Sequence, residues 1–194
     1  MHLSFENEQR KQIYQIMKRT LGSDYLSFSL CESSFLEDLE GKKSNLYIRF
    51  KELSGDSESE YTLEKSGIGI VNIFFNSLID QYASSYSSLE NISFKEFRVT
   101  PCLFKSVGSG SDAKVVVEIT FSNKSKQKMV FSETGESLFS SILLTLLGAF
   151  EFYINIEKSF NRLNFLIEDS KQRNRGDLVQ RYTYDLSCII KQDI

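Results

Sequence analysis

Ser66-Gly-Ile-Gly-Ile-Val71 sets two glycines directly ahead of an apolar stretch with helical spacing. Glycines there let the chain turn tightly into a helix. The first N–H groups of that helix, at the positive end of its dipole, stabilise an anion such as an amino-acid carboxylate. The third glycine and the Lys-Ser/Thr of phosphate-cradling loops are missing. As a nucleotide signature the segment is weak, and it reads equally well as a tight strand–helix junction without a ligand. A second helix start follows at Thr134-Gly-Glu-Ser137. Thr134 or Ser137 can cap it, and Glu136 can offset the dipole or meet an ammonium group.

The remaining chemistry is sparse. Histidine occurs once, at position 2, which removes the usual general base and metal ligand. Glu32, Glu37, Asp38 and Glu151 are spaced as residues of solvated loops and helix faces. Cys31, Cys102 and Cys188 form no CxxC pair and read as reduced, small apolar side chains. No catalytic residue, metal site or cofactor is expected, and the chain is not expected to be an enzyme.

The two helix starts lie in a segment written twice. Residues 61–82 and 129–150 align at one constant offset, setting Gly67 on Gly135, Val71 on Phe139, Phe74 on Ile142, Leu78 on Leu146 and Tyr82 on Phe150. Around them the pattern predicts an amphipathic helix over 5–21 ended by Gly22, then strands over 25–30, 45–53 and 61–64. An acidic turn falls at 37–41, a polar hairpin loop at 54–59, and a helix opens at 66–69 and runs to about Tyr86. The order repeats with strands within 92–104, 114–122 and 128–131, a Gly-Ser turn at 107–113, and a helix opening at Thr134. Two tail stripes follow: Ile156, Phe160, Leu163 and Ile167, then Leu178, Tyr182, Leu186 and Ile189. The expected fold is α+β, two pseudo-twofold-related βββα units with helices packed centrally plus N-terminal and C-terminal flanking helices. Its parts are 1–22, 23–90, 91–155 and a helical tail 156–194.

A net charge of −3 and pI near 5.4 argue against a nucleic-acid partner. The cluster Lys171, Arg173, Arg175 and Arg181 reads as a solvated helix end. No signal peptide is expected, because the first residues carry acidic side chains and no apolar run. The apolar stretch 138–154 is shorter than the roughly 20 residues of a membrane span and reads as a buried core helix. A cytoplasmic protein is expected.

Taken in order, the elements resemble the C-terminal regulatory domain of 2-isopropylmalate synthase and citramalate synthase. That domain has a Gly-x-Gly-Pro-Val-Asp-Ala helix start, a Gly-Thr-Asp-Ala turn, an alternating strand, and a second helix start with an acidic residue and a later Ala-Ser. The corresponding pieces are Gly67-Ile-Gly-Ile-Val-Asn-Ile73, Gly110-Ser-Asp-Ala113, the strand from Lys114 to Ile119, and Glu136 with Ser140-Ser141. The resemblance implies a non-catalytic homodimer that binds leucine or isoleucine and controls a catalytic partner, whose barrel this chain lacks. The implied pocket is Gly67, Ile68, Gly69, Val71 and Asn72 with Thr134, Gly135 and Glu136. Ile70 stands in place of the family's Pro, and Asn72 in place of its Asp. In this reading Gly67→Val blocks the ligand while sparing the fold. The alternative is a structural or interaction module that kept the fold without the ligand.

Overall fold

The computed structural model describes residues 2–102 and 114–191, with side chains from residue 8 onward. Its elements are α1 (His2–Leu21), β1 (Ser27–Asp38), β2 (Lys43–Ser54), β3 (Ser57–Gly67), α2 (Ile70–Tyr82), β4 (Ser93–Pro101), β5 (Val115–Ser122), β6 (Lys128–Gly135), α3 (Leu138–Gln172) and α4 (Gly176–Ile190). Short 3-10 turns lie at Gly22–Asp24 and Ser87–Asn91. The turn expected at 107–113 lies outside the described residues.

Two-residue alternation builds each sheet around its central strand. Leu46, Ile48 and Phe50 of β2 point inward and are buried, as are Val117, Ile119 and Phe121 of β5. The strands pair antiparallel in the orders β1-β2-β3 and β4-β5-β6. α2 lies on β2 and β3, while α3 lies on β5 and β6 and also reaches β1. Phe75 of α2 stacks on Phe121 of the second sheet, with ring centroids 5.6 Å apart. The fold is therefore α+β: two βββα units with their helices between the sheets and flanking helices at both ends.

The repeat extends beyond the aligned segment. Leu30 pairs with Phe50, Phe94 pairs with Phe121, and each pair is followed at once by a β-bulge. Gly67 and Gly135 close the third strand of each unit, and α2 and α3 start at equivalent positions. The copies differ in helix length, 13 residues for α2 against 35 for α3. The stripe at Ile156, Phe160, Leu163 and Ile167 is thus the continuation of the second unit's own helix, which runs unbroken through position 155. The break falls at 173–175, where Asn174 takes a left-handed φ of 54°.

Other boundaries differ from the sequence pattern. β1 extends to Asp38, so Glu37 is in a strand rather than a turn. The expected loop at 54–59 is a tight turn at Gly55-Asp56, where Gly55 takes φ +65°, and β3 starts at Ser57. α2 stops at Tyr82.

Apolar side chains cover α3 nearly all round in its first half. Leu143, Leu146, Phe150, Phe152 and Ile154 are fully buried. By length and composition α3 suffices to cross a membrane, but its apolar stretch is mostly buried within the fold, compatible with a soluble protein. α1 packs Ile13, Ile16 and Met17 into the same core, with Tyr14 against Phe152 at 5.4 Å. Arg19 of α1 pairs with the buried Asp185 of α4 at 2.5 Å.

Asn155 is the one fully buried amide on α3, and it holds the chain entering β1. Its Oδ1 accepts from Leu26 N at 2.8 Å, and its Nδ2 donates to Leu26 O at 2.7 Å. One turn earlier, Glu151 accepts from Tyr25 Oη at 3.1 Å and from Phe28 N at 3.3 Å. Burial pushes the Glu151 carboxyl up, and these two donors and Lys18 only partly offset it.

Asn155→Ala leaves a buried N–H and C=O without partners, and a loss of about 2–4 kcal/mol is expected by urea unfolding. Glu151 behaves oppositely. Its raised folded pKa means that its favourable contribution is complete only below the unfolded carboxylate value and is lost as pH rises through the folded one. Glu151→Gln should therefore melt at or above wild type at neutral pH, and the gap should close as thermal melts are taken toward pH ~4.3.

Candidate functional site

Strand register shows where the helix starts lie. Asp38 pairs with Lys43 and Ser44 with Gly67, so β1 ends, β2 begins and β3 ends at one end of the fold. α2 starts there, just after Gly67. Phe139, in the first turn of α3, meets Phe35 near the end of β1 at 6.0 Å. Both helix starts thus lie at the same end of the molecule.

Their details are those of packing. A Cβ on Gly67 would sit 2.9 Å from Ile73 Cγ1, and one on Gly135 would sit 2.5 Å from Ser141 Oγ. Each glycine makes room for a side chain from the first turns of its own helix. Gly67→Val therefore strikes the buried Ile73 and disturbs the junction itself; it does not isolate a loss of ligand. Gly69 is different: it takes φ +73°, and open space surrounds the place its Cβ would occupy.

The remaining candidates are scattered in environment. Ile68 is 77% exposed. Val71 is half-buried against the core. Asn72 is exposed and accepts from Asn76 Nδ2 at 3.1 Å. Thr134 is exposed in β6, paired with Val116, and so does not cap α3. Ser137 does, its side chain accepting from Ser140 N at 3.3 Å. Glu136 is exposed. At the equivalent position in the first unit, Gly69 precedes α2 with no side chain to cap it.

The two sets of residues share an end of the fold, but no hydrogen bond or ring contact joins them among the described residues. Neither of the two best-formed cavities touches them. One, of about 350 Å³, lies between Ser88, Glu157, Phe160 and Ile190. There Glu157 accepts from the backbone N–H groups of Ser87 and Ser88, at 3.2 and 2.8 Å, and so caps the short turn. The other, of about 200 Å³, lies between Arg10, Phe131, Glu133 and Thr145.

A surface that the sequence pattern did not single out is more distinctive. Register makes Phe94, Phe97 and Val99 of β4 the counterparts of Leu30, Ser33 and Phe35 of β1. Phe28, Leu30 and Phe35 pack against the core under α2 and α3. Their counterparts are more open: Phe94 meets the core ring of Phe121 at 6.2 Å, yet Phe94, Phe97 and Val99 are 38%, 39% and 38% exposed, and all nine residues of β4 are exposed. Where α3 sets Phe139 of its first turn against Phe35 of β1, α2 carries the smaller Val71 at the equivalent position. The spacing Phe94-x-x-Phe97-x-Val99 is visible in sequence, but the bulge at Lys95 hides that these rings share one face.

The chain matches no protein-family model and no curated protein sequence.

The two kinds of glycine separate by substitution. Gly67→Ala overpacks against Ile73 and is expected to cost about 1–3 kcal/mol. Gly69→Ala meets no atom and should cost only the backbone strain of φ 73°, ψ 131°, about 1–3 kcal/mol. Gly69→Asn should lose about as much as Gly69→Ala, because ψ 131° lies outside the left-handed region that Asn tolerates, as read by chemical unfolding.

Proposed function

We propose that this chain is a non-catalytic protein-interaction module that docks through the open face of its second sheet. The row Phe94, Phe97 and Val99 carries the reading, because its counterpart in the other unit is covered. Apolar rows that a fold leaves open mark docking surfaces. A partner that sets an apolar row against Phe94, Phe97 and Val99 takes these side chains out of water. The composition fits a role without chemistry, with one histidine in the whole sequence. The cytoplasm suits Cys31, Cys102 and Cys188, all of which are free.

A second reading follows the resemblance: a regulatory domain that binds leucine or isoleucine at the paired helix starts and controls a separate catalytic subunit. What favours it is the common end shared by the two starts, together with the glycine at position 69, which leaves the first N–H groups of α2 without a side-chain cap. An amino-acid carboxylate is the kind of anion such groups hold.

Photo-cross-linking tests the first reading. With a benzophenone side chain at Val99, protein adducts are expected in the producing cell, and they should be lost in Phe97→Lys. The same probe at Val116, on the other face of the sheet, should give none. Equal labelling from both positions would overturn the docking role. Calorimetry with leucine, isoleucine and valine tests the second: heat at millimolar ligand that disappears in Gly69→Val supports it, and silence with all three removes it.

A further inference from the structure

We infer that the occupant of this face is a second copy of the chain, paired antiparallel along β4 with Phe97 opposite Phe97. The inference rests on the docking role proposed above and adds the partner and its register.

β4 is the open edge of its sheet. In the order β4-β5-β6 its outer backbone row has no strand partner among the described residues. At the opposite edge, Arg10 of α1 donates to Val130 O of β6. A sheet edge with unpaired N–H and C=O groups is a template for another strand.

The side chains select the register. Phe94, Phe97 and Val99 pair with the inward residues Phe121, Ile119 and Val117, whereas Glu96, Arg98 and Thr100 pair with Thr120, Glu118 and Val116 on the outer face. A twofold axis perpendicular to the sheet keeps inward faces together, so a residue must face one of the same parity. Three central registers remain, centred on Glu96, Phe97 or Arg98. The first sets Glu96 against Glu96 and the third Arg98 against Arg98, and like charges directly opposite are destabilising. Only the register centred on Phe97 sets each Glu96 opposite the second copy's Arg98, twice over. It also sets the two Phe97 rings side by side, so the two inward rows become one.

Arg98 gives up little to do this. Its present partners are Glu96 at 2.8 Å and Glu118 at 3.8 Å, all on exposed or half-exposed side chains, where ion pairs are worth little. The bulge at Lys95 and the missing N–H of Pro101 bound the paired stretch at both ends. Pairing is thereby confined to a short central segment. The product is a closed dimer rather than an open array, because each copy's β4 is used once.

Sedimentation of the full chain over a concentration series, with thermal melts to check folding, tests the inference. Wild type is expected to dimerise. Glu96→Arg and Arg98→Glu each place like charges opposite one another and should weaken the dimer by about tenfold or more. The double variant Glu96→Arg/Arg98→Glu restores both pairs and should restore the dimer. A monomer at every concentration overturns the inference; Val99 adducts to a different protein would then leave the docking role standing. A dimer unaffected by both single reversals, or one that the double variant fails to restore, overturns the register.

Discussion

Helix α3 has to bury nearly every side of its first half at once, and the architecture follows from that requirement. The segment from Leu143 to Ile156 faces the second sheet through β5 and β6, the first sheet through β1, and α1 on a further side. An apolar helix of this kind is stable only when it is enclosed. Burying side chains such as Phe150 and Phe152 contributes about 1.5–3 kcal/mol each. Two of the polar residues it carries inward are paired, Thr145 Oγ1 donating to Ser141 O at 2.7 Å and Asn155 taking both backbone groups of Leu26, whereas Ser159 Oγ is buried without a hydrogen-bond partner among the described residues. Where enclosure ends, the pattern changes. Beyond Ser159 one stripe is buried, through Leu163 and Ile167, and α4 suffices to cover it.

The same requirement breaks the symmetry of the repeat. Phe139, in the first turn of α3, meets Phe35 of β1, and α2 carries the smaller Val71 at the equivalent position. The strand itself was not redesigned to suit. It keeps the bulge in the same register and the inward alternation of its counterpart, with a phenylalanine at Phe97 where β1 has Ser33.

Much of the fold was legible because two signals agreed: the offset repeat fixed the order of elements, and alternation in β2 and β5 fixed their faces. The edge strands were less legible. β3 reads Ser-Glu-Ser-Glu before Tyr61 and carries no apolar alternation there, so its extent is set by pairing with β2, which propensity alone does not reveal. The continuity of α3 through 155 was hidden because its apolar pattern changes from all-round to one-sided while the helix goes on. At the helix starts the residues were legible and their role was not. A glycine that admits a ligand and a glycine that admits its own helix's Ile73 or Ser141 look the same in sequence, and only the distance to the neighbouring side chain separates them.

That distinction also orders the two readings of function. Gly67 and Gly135 are equivalent, crowded and explained by packing, so their recurrence speaks for the fold and is neutral about a ligand. Gly69 has no counterpart glycine and no crowding, and the second unit places the capping Ser137 at its position. The two helix starts are therefore unlike: α3 is capped by Ser137, and α2 has no side-chain cap. The β4 face is asymmetric for a different reason, since there both copies share one strand design and only one of them is covered. The proposed docking role takes that open strand as its surface. The charges on its outer face, Glu96 and Arg98 placed evenly about Phe97, are complementary to themselves when the strand is reversed.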